Sequence, residues 1–293
     1  WTMGLLEKAE WSAKWIAADP EIIKRDKEAS APTLLDPGTP GLFRKEFDVP
    51  SPIQRATIYA SARGIFELRA NGQRIGEDCF APEWTDYDKR LHYRAYDVTA
   101  LLKTGRNALA ATLGDGWWSG YVGWQETRAR YGSLENSLLA QLEVELANGQ
   151  RITVNTDGSW TCNTGPILFS DFMMGETYDA RRERTGWDAV NFSGQDWRAS
   201  REVAAPTVPM VAQRAEPVQV VEKLAPVSLN EIKPGVFIYD LGQNIAGWVR
   251  LKVNAPAGPY ALIRIPGFRW SSIQRVPIDP ACALTVIEID SGR

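Results

Sequence analysis

The amino-acid sequence predicts an all-β protein with two antiparallel, jelly-roll-like β-sandwich domains. The 293 residues are enough for about two domains at the usual ~150 residues per domain. Two stretches of alternating apolar and polar residues each run into an Asn-Gly pair, which is a strong signal for a β-hairpin. Turn signals recur every ~8 to 12 residues without a long amphipathic helix between them, a pattern typical of a sandwich.

The first predicted element is an N-terminal docking segment and loop, residues 1–41. Trp11 and Trp15 lie four positions apart, so both rings would face one side of a short helix or plug into a neighbouring sheet. Residues 19–41 are charged and then rich in Pro and Gly, which is typical of a loop.

The first β-sandwich is predicted for residues 42–205. Residues 65–70 alternate, and the pair Asn71-Gly72 supplies the positive φ angles of a type I′ turn. Residues 138–146 alternate in the same way and turn at Asn148-Gly149. Each stretch should therefore pair antiparallel with the residues that follow its turn.

A second, smaller β-sandwich is predicted for residues 206–293. Several prolines lie among valines over residues 204–226, and repeated prolines interrupt strand pairing, so we place an interdomain connection near residues 205–215. Alternating stretches then resume at residues 236–241, 248–254, 260–265 and 283–290.

Composition excludes several classes of function. Thirty-three Lys and Arg against 36 Asp and Glu give a net charge of −3, so we expect no nucleic-acid partner and no anionic membrane partner. No apolar run approaches the ~18 residues that a membrane-spanning helix requires. The single histidine excludes a multi-histidine metal centre, and the three cysteines form no CxxC pair. Walker A, GxGxxG and GxSxG motifs are absent.

Several short strings follow one another in a specific order. They are NG and IG at 71–72 and 75–76, APEWTDY at 81–87, YDVT at 96–99, GDGWW at 114–118, GETYDAR at 175–181, and YDLGQN with GWV at 239–244 and 247–249. Across roughly residues 11–290 they resemble the non-catalytic N-terminal modules of bacterial α-L-rhamnosidases of glycoside hydrolase family 78. Residues 260–265 pass almost directly into 266–270, which look like a later family strand, so the second domain is expected to be shortened relative to the family.

This resemblance implies an accessory, carbohydrate-binding N-terminal part of an enzyme that hydrolyses terminal α-L-rhamnose from glycans or glycosides. In the family, the acidic catalytic residues lie in an α/α barrel that would begin where this chain stops at Arg293, so no catalytic residue is assigned here. The barrel is the expected partner, and the chain alone is expected to be inactive. The alternative is a structural module that docks on the barrel without binding sugar.

The chain start and one carboxylate pair lead to two further expectations. Because residue 1 is Trp1 and no signal-peptide pattern follows, we expect a processed chain or an excised fragment, secreted or periplasmic in preference to cytoplasmic.

Glu176 and Asp179 form the best local pair for an acid and a base, which makes an intact small glycosidase the third hypothesis. On a strand, positions three apart face opposite sides, so ion pairing with the arginines at 181, 182 and 184 is favoured.

Two clusters of aromatic and charged residues are the candidate sugar sites. A flat ring suits the apolar face of a pyranose, while carboxylates and guanidinium groups suit its hydroxyls. The predicted substrate-binding residues are Trp84, Asp86 and Arg90 in the first cluster and Asp115, Trp117 and Trp124 in the second. The alternative is a core role, because Trp-Trp pairs often bury one ring.

Calcium is the one predicted cofactor. The cis diol of rhamnose can complete the oxygen shell of a Ca²⁺ ion that carboxylates already hold. Asp86 and Asp88 are the predicted metal ligands, since they lie beside Trp84 in the first cluster.

Overall fold

The computed structural model describes residues 4–5, 7–22, 38–123, 128–131, 133–234, 236–243, 246–253, 260–264, 273–277 and 285–292. β-Strands form most of the regular structure in these residues, and the helical segments are short, which confirms the predicted all-β class. The helical segments include 3₁₀ turns at Lys8–Glu10, Thr99–Leu101 and Ala180–Arg182 and one α-helical turn, α1 (Gly116–Ser119). Over the described ranges, no helix has the length and apolar character needed to span a bilayer.

The strands in the N-terminal half are β1 (Ile16–Ala17), β2 (Gly41–Val49), β3 (Ile53–Arg63), β4 (Ile65–Ala70), β5 (Gln73–Arg74), β6 (Leu91–Asp97), β7 (Gly105–Gly114), β8 (Ser137–Leu146) and β9 (Arg151–Asn155). Those that follow are β10 (Thr161–Thr164), β11 (Ile167–Asp171), β12 (Gly175–Tyr178), β13 (Arg198–Ala199), β14 (Arg201–Glu202), β15 (Met210–Ala212), β16 (Val220–Glu222), β17 (Ser228–Lys233), β18 (Val236–Asp240), β19 (Ala246–Val253), β20 (Tyr260–Arg264), β21 (Ile273–Pro277) and β22 (Thr285–Gly292).

The chain divides into two compact units. The first comprises Trp1–Gly76, Phe80–Arg214 and Tyr260–Pro277, and the second comprises Glu77–Cys79, Ala215–Pro259 and Ile278–Arg293. The domain limits expected from the sequence, 1–41, 42–205 and 206–293, stay predictions.

The first unit contains two large sheets. The seven-stranded sheet has the order β14-β1-β8-β3-β6-β15 with β9 also paired to β8, and the six-stranded sheet has the order β13-β10-β2-β7-β4-β5. The neighbours run antiparallel except β15, which lies parallel to β6. That parallel pair differs from the predicted all-antiparallel pattern. It is allowed because more than a hundred residues separate the two strands, and a parallel pair requires only a long crossover.

The two sheets enclose one hydrophobic core. Ile58 and Leu142 from the seven-stranded sheet and Phe43 and Leu109 from the six-stranded sheet belong to the same buried cluster. In β4 every second residue is buried, as the alternation predicts, so Phe66, Leu68 and Ala70 face the core. The first unit is therefore a β-sandwich.

Both predicted hairpins are present, but their turns differ. Asn71 and Gly72 have φ angles of 49° and 83°, as a type I′ turn requires, and Ala70 pairs with Gln73. In the β8–β9 hairpin only Gly149, at 83°, has a positive φ angle. Its amide donates to the Leu146 carbonyl at 2.9 Å, so the loop also includes Ala147 and is longer than the Asn-Gly pair predicts.

The described strands of the second unit also form small antiparallel sheets. β19 pairs with β22, which also pairs with β16, and β17 pairs with β18. After β18, the Asp240 carboxylate accepts a hydrogen bond from the Gly242 amide at 2.8 Å, so this side chain stabilises the turn.

Candidate functional site

Three loops of the first unit meet at one edge of the sandwich. Residues 80–90 precede β6, residues 115–123 follow β7, and residues 172–174 form the tip of the β11–β12 hairpin. The Trp84 and Trp117 rings are nearly parallel, with centroids 6.3 Å apart and an interplanar angle of 11°. The structure thus brings Trp84 of the first predicted cluster and Trp117 of the second onto one surface.

Four rings of this surface form what we call the aromatic edge: Trp84 and Phe172, which are exposed, and Phe80 and Trp117, which are half-buried. Trp117 lies 4.3 Å from Phe172, centroid to centroid, and Phe80 meets Phe172 edge-on at 4.9 Å. Trp84 is 52% exposed and Phe172 is 39% exposed. Because the Trp84 indole N–H donates to the Tyr131 hydroxyl at 3.1 Å, the exposed ring is held in one orientation.

The adjacent tryptophans of α1 belong to different clusters. Trp118 packs edge-on against Tyr87, with centroids 5.4 Å apart, and its indole N–H donates to the Glu135 carbonyl at 2.9 Å. The Arg63 guanidinium lies over the Trp118 ring, 5.7 Å from its centroid. Trp118 therefore supports the loop from behind, while Trp117 contributes to the aromatic edge.

Gly116 permits the close packing that places Trp117 at the surface. Its φ angle is +54°, and a Cβ atom there would lie 2.6 Å from Cγ2 of Ile65. Both facts favour glycine, since other residues rarely adopt this backbone conformation and a side chain would collide with β4.

Asp115 faces the protein interior, with 2% of its surface exposed. Its carboxylate accepts hydrogen bonds from the Gly38 amide at 2.7 Å and the Asn136 side-chain amide at 2.8 Å, and it forms an ion pair with Arg128. A carboxylate with these three partners holds the loop in place. It is therefore a positioning residue for the aromatic edge.

Asp86, Asp88 and Arg90 lie on the loop that carries Trp84, where Asp86 is partly exposed and the other two are exposed. Asp86 accepts from the Asp88 amide at 3.3 Å and pairs with Lys89 at 3.0 Å. The Lys89 ammonium beside Asp86 holds the pKa of that carboxyl below its usual value, so Asp86 is ionised at neutral pH. Arg90 donates through Nε to the Thr85 hydroxyl at 3.1 Å.

The Asp86 and Asp88 side chains alone provide too few oxygen ligands to fill the coordination shell of Ca²⁺. Ca²⁺ takes ~6 to 8 oxygen ligands, and among the described residues no three acidic, histidine or cysteine side chains cluster as metal ligands. The Lys89 ammonium also occupies one side of Asp86. Calcium at Asp86 and Asp88 stays a prediction, and it requires further oxygens from backbone, water or sugar.

Glu83 is a site residue that the sequence did not single out. Its carboxylate pairs with Arg94 at 2.7 Å and accepts from the Gln213 side chain at 2.7 Å. Both Phe80 and Glu83 have positive φ angles, 60° and 73°. Non-glycine residues in this region are strained and are often found at binding sites, and here the two lie on either side of the bend that presents Trp84.

The remaining candidate residues lie elsewhere. Trp124 is outside the described residues. Asp179 forms the ion pair favoured by its spacing, with Arg181 at 2.7 Å, and the hydrogen bond from Arg181 lowers its pKa. Glu176 lies on β12, where burial raises the pKa of its carboxyl. The surroundings thus lower the pKa of the Asp179 carboxyl and raise the pKa of the Glu176 carboxyl.

Two family models match the chain. The model described as alpha-L-rhamnosidase N-terminal domain matches residues 51–222, more than half of the chain and the whole aromatic edge. The model described as bacterial alpha-L-rhamnosidase concanavalin-like domain matches residues 230–267.

Curated relatives match over a limited part of their own length. An alpha-L-rhamnosidase of Streptomyces avermitilis is 44% identical over 225 residues, which are 76% of this chain and 22% of the relative. One from Alteromonas sp. is 33% identical over 266 residues, which are 89% of this chain and 28% of the relative. The chain spans about a quarter of the length of these relatives.

Solved structures share the fold. Native α-L-rhamnosidase from Aspergillus terreus superposes with a TM-score of 0.85 at 30% identity, covering 98% of this chain and 34% of that chain. The S. avermitilis α-L-rhamnosidase complexed with L-rhamnose gives a TM-score of 0.80 at 37% identity, covering 87% of this chain and 26% of that chain.

Proposed function

Because this chain belongs to the α-L-rhamnosidase N-terminal domain family, we propose that it is the accessory part of an α-L-rhamnosidase and binds L-rhamnose-containing carbohydrate. The observation that carries this proposal is the exposed Trp84 ring, stacked near Trp117 and held by Tyr131. A large, fixed and exposed aromatic surface has no role in a core, but it suits the apolar face of a sugar.

The chemistry around the ring fits a 6-deoxy sugar. The methyl group and the ring C–H groups of rhamnose would pack on Trp84 and Trp117. The ionised Asp86 carboxylate would accept hydrogen bonds from sugar hydroxyls, and the exposed Arg90 guanidinium would donate to them. The relative from S. avermitilis was solved in complex with L-rhamnose, which supports this choice of ligand.

Trp84→Ala is expected to weaken binding of L-rhamnose ~10- to 100-fold, which corresponds to the ~1.5–3 kcal/mol gained by covering a large apolar side chain. Wild-type affinity should lie in the millimolar to high-micromolar range, roughly −4 to −6 kcal/mol, because one ring platform and a few polar contacts form the site. Isothermal titration calorimetry measures the affinity of the wild type and that of the variant. Tyr239→Ala, at an exposed aromatic residue of the second unit, is the matched control. Undiminished binding by the Trp84 variant would contradict the site.

Asp86→Ala is expected to abolish rhamnose binding and any effect of Ca²⁺ on it, while the melting temperature in excess chelator stays unchanged. The reason is that the Asp86 carboxylate is partly exposed and, among the described residues, its bonds are to Asp88 and Lys89 of its own loop. Calorimetric titration with and without Ca²⁺ and a thermal melt in chelator provide the test. A variant that unfolds in chelator would instead show that Asp86 has a structural role.

The catalytic barrel of the full-length enzyme is the proposed partner, so the isolated chain is expected not to hydrolyse aryl α-L-rhamnosides. Binding alone supplies no general acid or base. A chromogenic assay of the 293-residue chain and of Glu176→Gln decides the point. Turnover that disappears in the variant would establish the third hypothesis, a small glycosidase, whereas a trace rate equal in both proteins would indicate contamination.

A further inference from the structure

A second concave surface lies on the outer face of the six-stranded sheet. It forms a half-open pocket of about 310 Å³. Glu67 and Arg69 of β4 and Thr112 of β7 line it, and they alternate with residues buried in the core, so they point away from the core. Residues 165–167 and 183–188 complete its wall. We call this the sheet-face pocket, and it shares no residue with the aromatic edge.

The lining of the pocket combines rings with apolar side chains. Tyr178 and Trp187 contribute aromatic groups, and Leu42 and Ile167 contribute aliphatic ones. The Trp187 ring stacks on Trp197, with centroids 6.1 Å apart and an interplanar angle of 21°, and this contact restrains its position. The pocket therefore has a preformed apolar wall.

The positive charges at the pocket are already paired within the protein. Arg69 forms ion pairs with Asp188 and, at 3.0 Å, with Glu67. Arg184 donates to both carboxylate oxygens of Asp196, at 3.1 and 2.9 Å, and to the Thr164 carbonyl at 2.8 Å. An anionic ligand would find no unpaired guanidinium on these two side chains.

Glu183 supplies the complementary acceptor. Glu183 lines the pocket as an exposed residue. Partial burial raises the pKa of its carboxyl, and within the described part of the chain no charged or hydrogen-bonding partner lowers it. A hydroxyl group could donate to this carboxylate, whereas a second carboxylate would be repelled by it. The pocket thus favours an uncharged ligand rich in hydroxyl groups.

We propose that the sheet-face pocket binds a neutral monosaccharide unit, which makes it a second sugar site on the first unit. Its volume of about 310 Å³ falls at the lower end of the ~300–1,000 Å³ typical of ligand pockets, which suits one pyranose ring. One ring face packs on Trp187 or Tyr178, and the hydroxyls donate to Glu183. The pocket can bind sugar whether or not the aromatic edge does.

The test follows the indole N–H signals of ¹⁵N-labelled tryptophan, with the Trp187 signal assigned from Trp187→Phe. L-rhamnose, D-galactose and D-galacturonate are titrated separately into the 293-residue chain. Either neutral sugar should shift the Trp187 signal in a saturable way, in the wild type and equally in Trp84→Ala. D-galacturonate should bind more weakly than D-galactose, which has the same ring stereochemistry without the charge.

Glu183→Ala should weaken the saturable shift of Trp187 by ~10- to 100-fold, the usual effect of losing a hydrogen bond to a charged group. Glu216→Ala, at an exposed carboxylate of the second unit, is the matched control and should bind like wild type. Three results would each overturn the proposal: no saturable shift of Trp187 with either neutral sugar, equal binding by Glu183→Ala, or tighter binding of D-galacturonate. Because Trp84→Ala removes only the aromatic edge, failure of one site is distinguishable from failure of the other.

Discussion

Asp115→Ala is expected to destabilise the first unit by ~3–5 kcal/mol, the usual cost of removing one partner of a buried ion pair. Asp115 is 2% exposed, and its loss would remove the carboxylate that pairs with the buried Arg128 guanidinium. The Gly38 amide and the Asn136 side chain would also lose their acceptor. Urea unfolding followed by far-ultraviolet circular dichroism measures the change in free energy.

Asp88→Ala is the matched control for Asp115→Ala, because Asp88 is an exposed aspartate on the neighbouring loop. The midpoint of its urea unfolding should equal that of the wild type. The double variant Asp115→Ala/Arg128→Met should recover part of the lost stability, since it also removes the buried guanidinium that has lost the Asp115 carboxylate. If Asp115→Ala alone unfolds like wild type but fails to bind rhamnose, Asp115 contacts the sugar directly and our assignment of a positioning role is wrong.

The fold was largely predictable because its strands have local signals. β4 and β8 each alternate and each ends near a glycine with a positive φ angle, so their hairpins could be placed from adjacent residues. The β15–β6 pair had no such signal. It joins residues 210–212 to residues 91–93, and no turn chemistry links segments so far apart.

The candidate site was predictable only in part. Trp84 and Trp117 were found because each lies in a short stretch rich in rings, glycines and charges. Their proximity was not predictable, since loops from different strand ends meet only in the folded chain. Phe172 was missed for the same reason, because it lies on a separate hairpin.

Burial was the harder property to infer for charged residues. Asp115 and Asp86 have similar sequence neighbours, since each lies within two residues of a tryptophan. Asp115 also lies between two glycines, and Asp86 precedes a tyrosine. One carboxylate faces the interior because Gly38, 77 positions away, and Arg128 both reach it. In the part of the chain that the structure describes, the Asp86 carboxylate bonds to Asp88 and Lys89 of its own loop. A single sequence does not show which distant residues will contact a given carboxylate in the folded chain.

Trp160→Ala is expected to cost ~3–5 kcal/mol of stability, as for other large aromatic residues in a core. Trp160 is 1% exposed in the cluster shared by both sheets, and its indole N–H donates to the Asn155 carbonyl at 2.8 Å. Urea unfolding measures the loss. Trp160→Phe, the matched control, keeps an aromatic ring but not the N–H group, so it should lose less, including the ~1 kcal/mol of a hydrogen bond. A cost below ~1 kcal/mol for Trp160→Ala would mean that the sheets do not enclose this ring, which contradicts the sandwich.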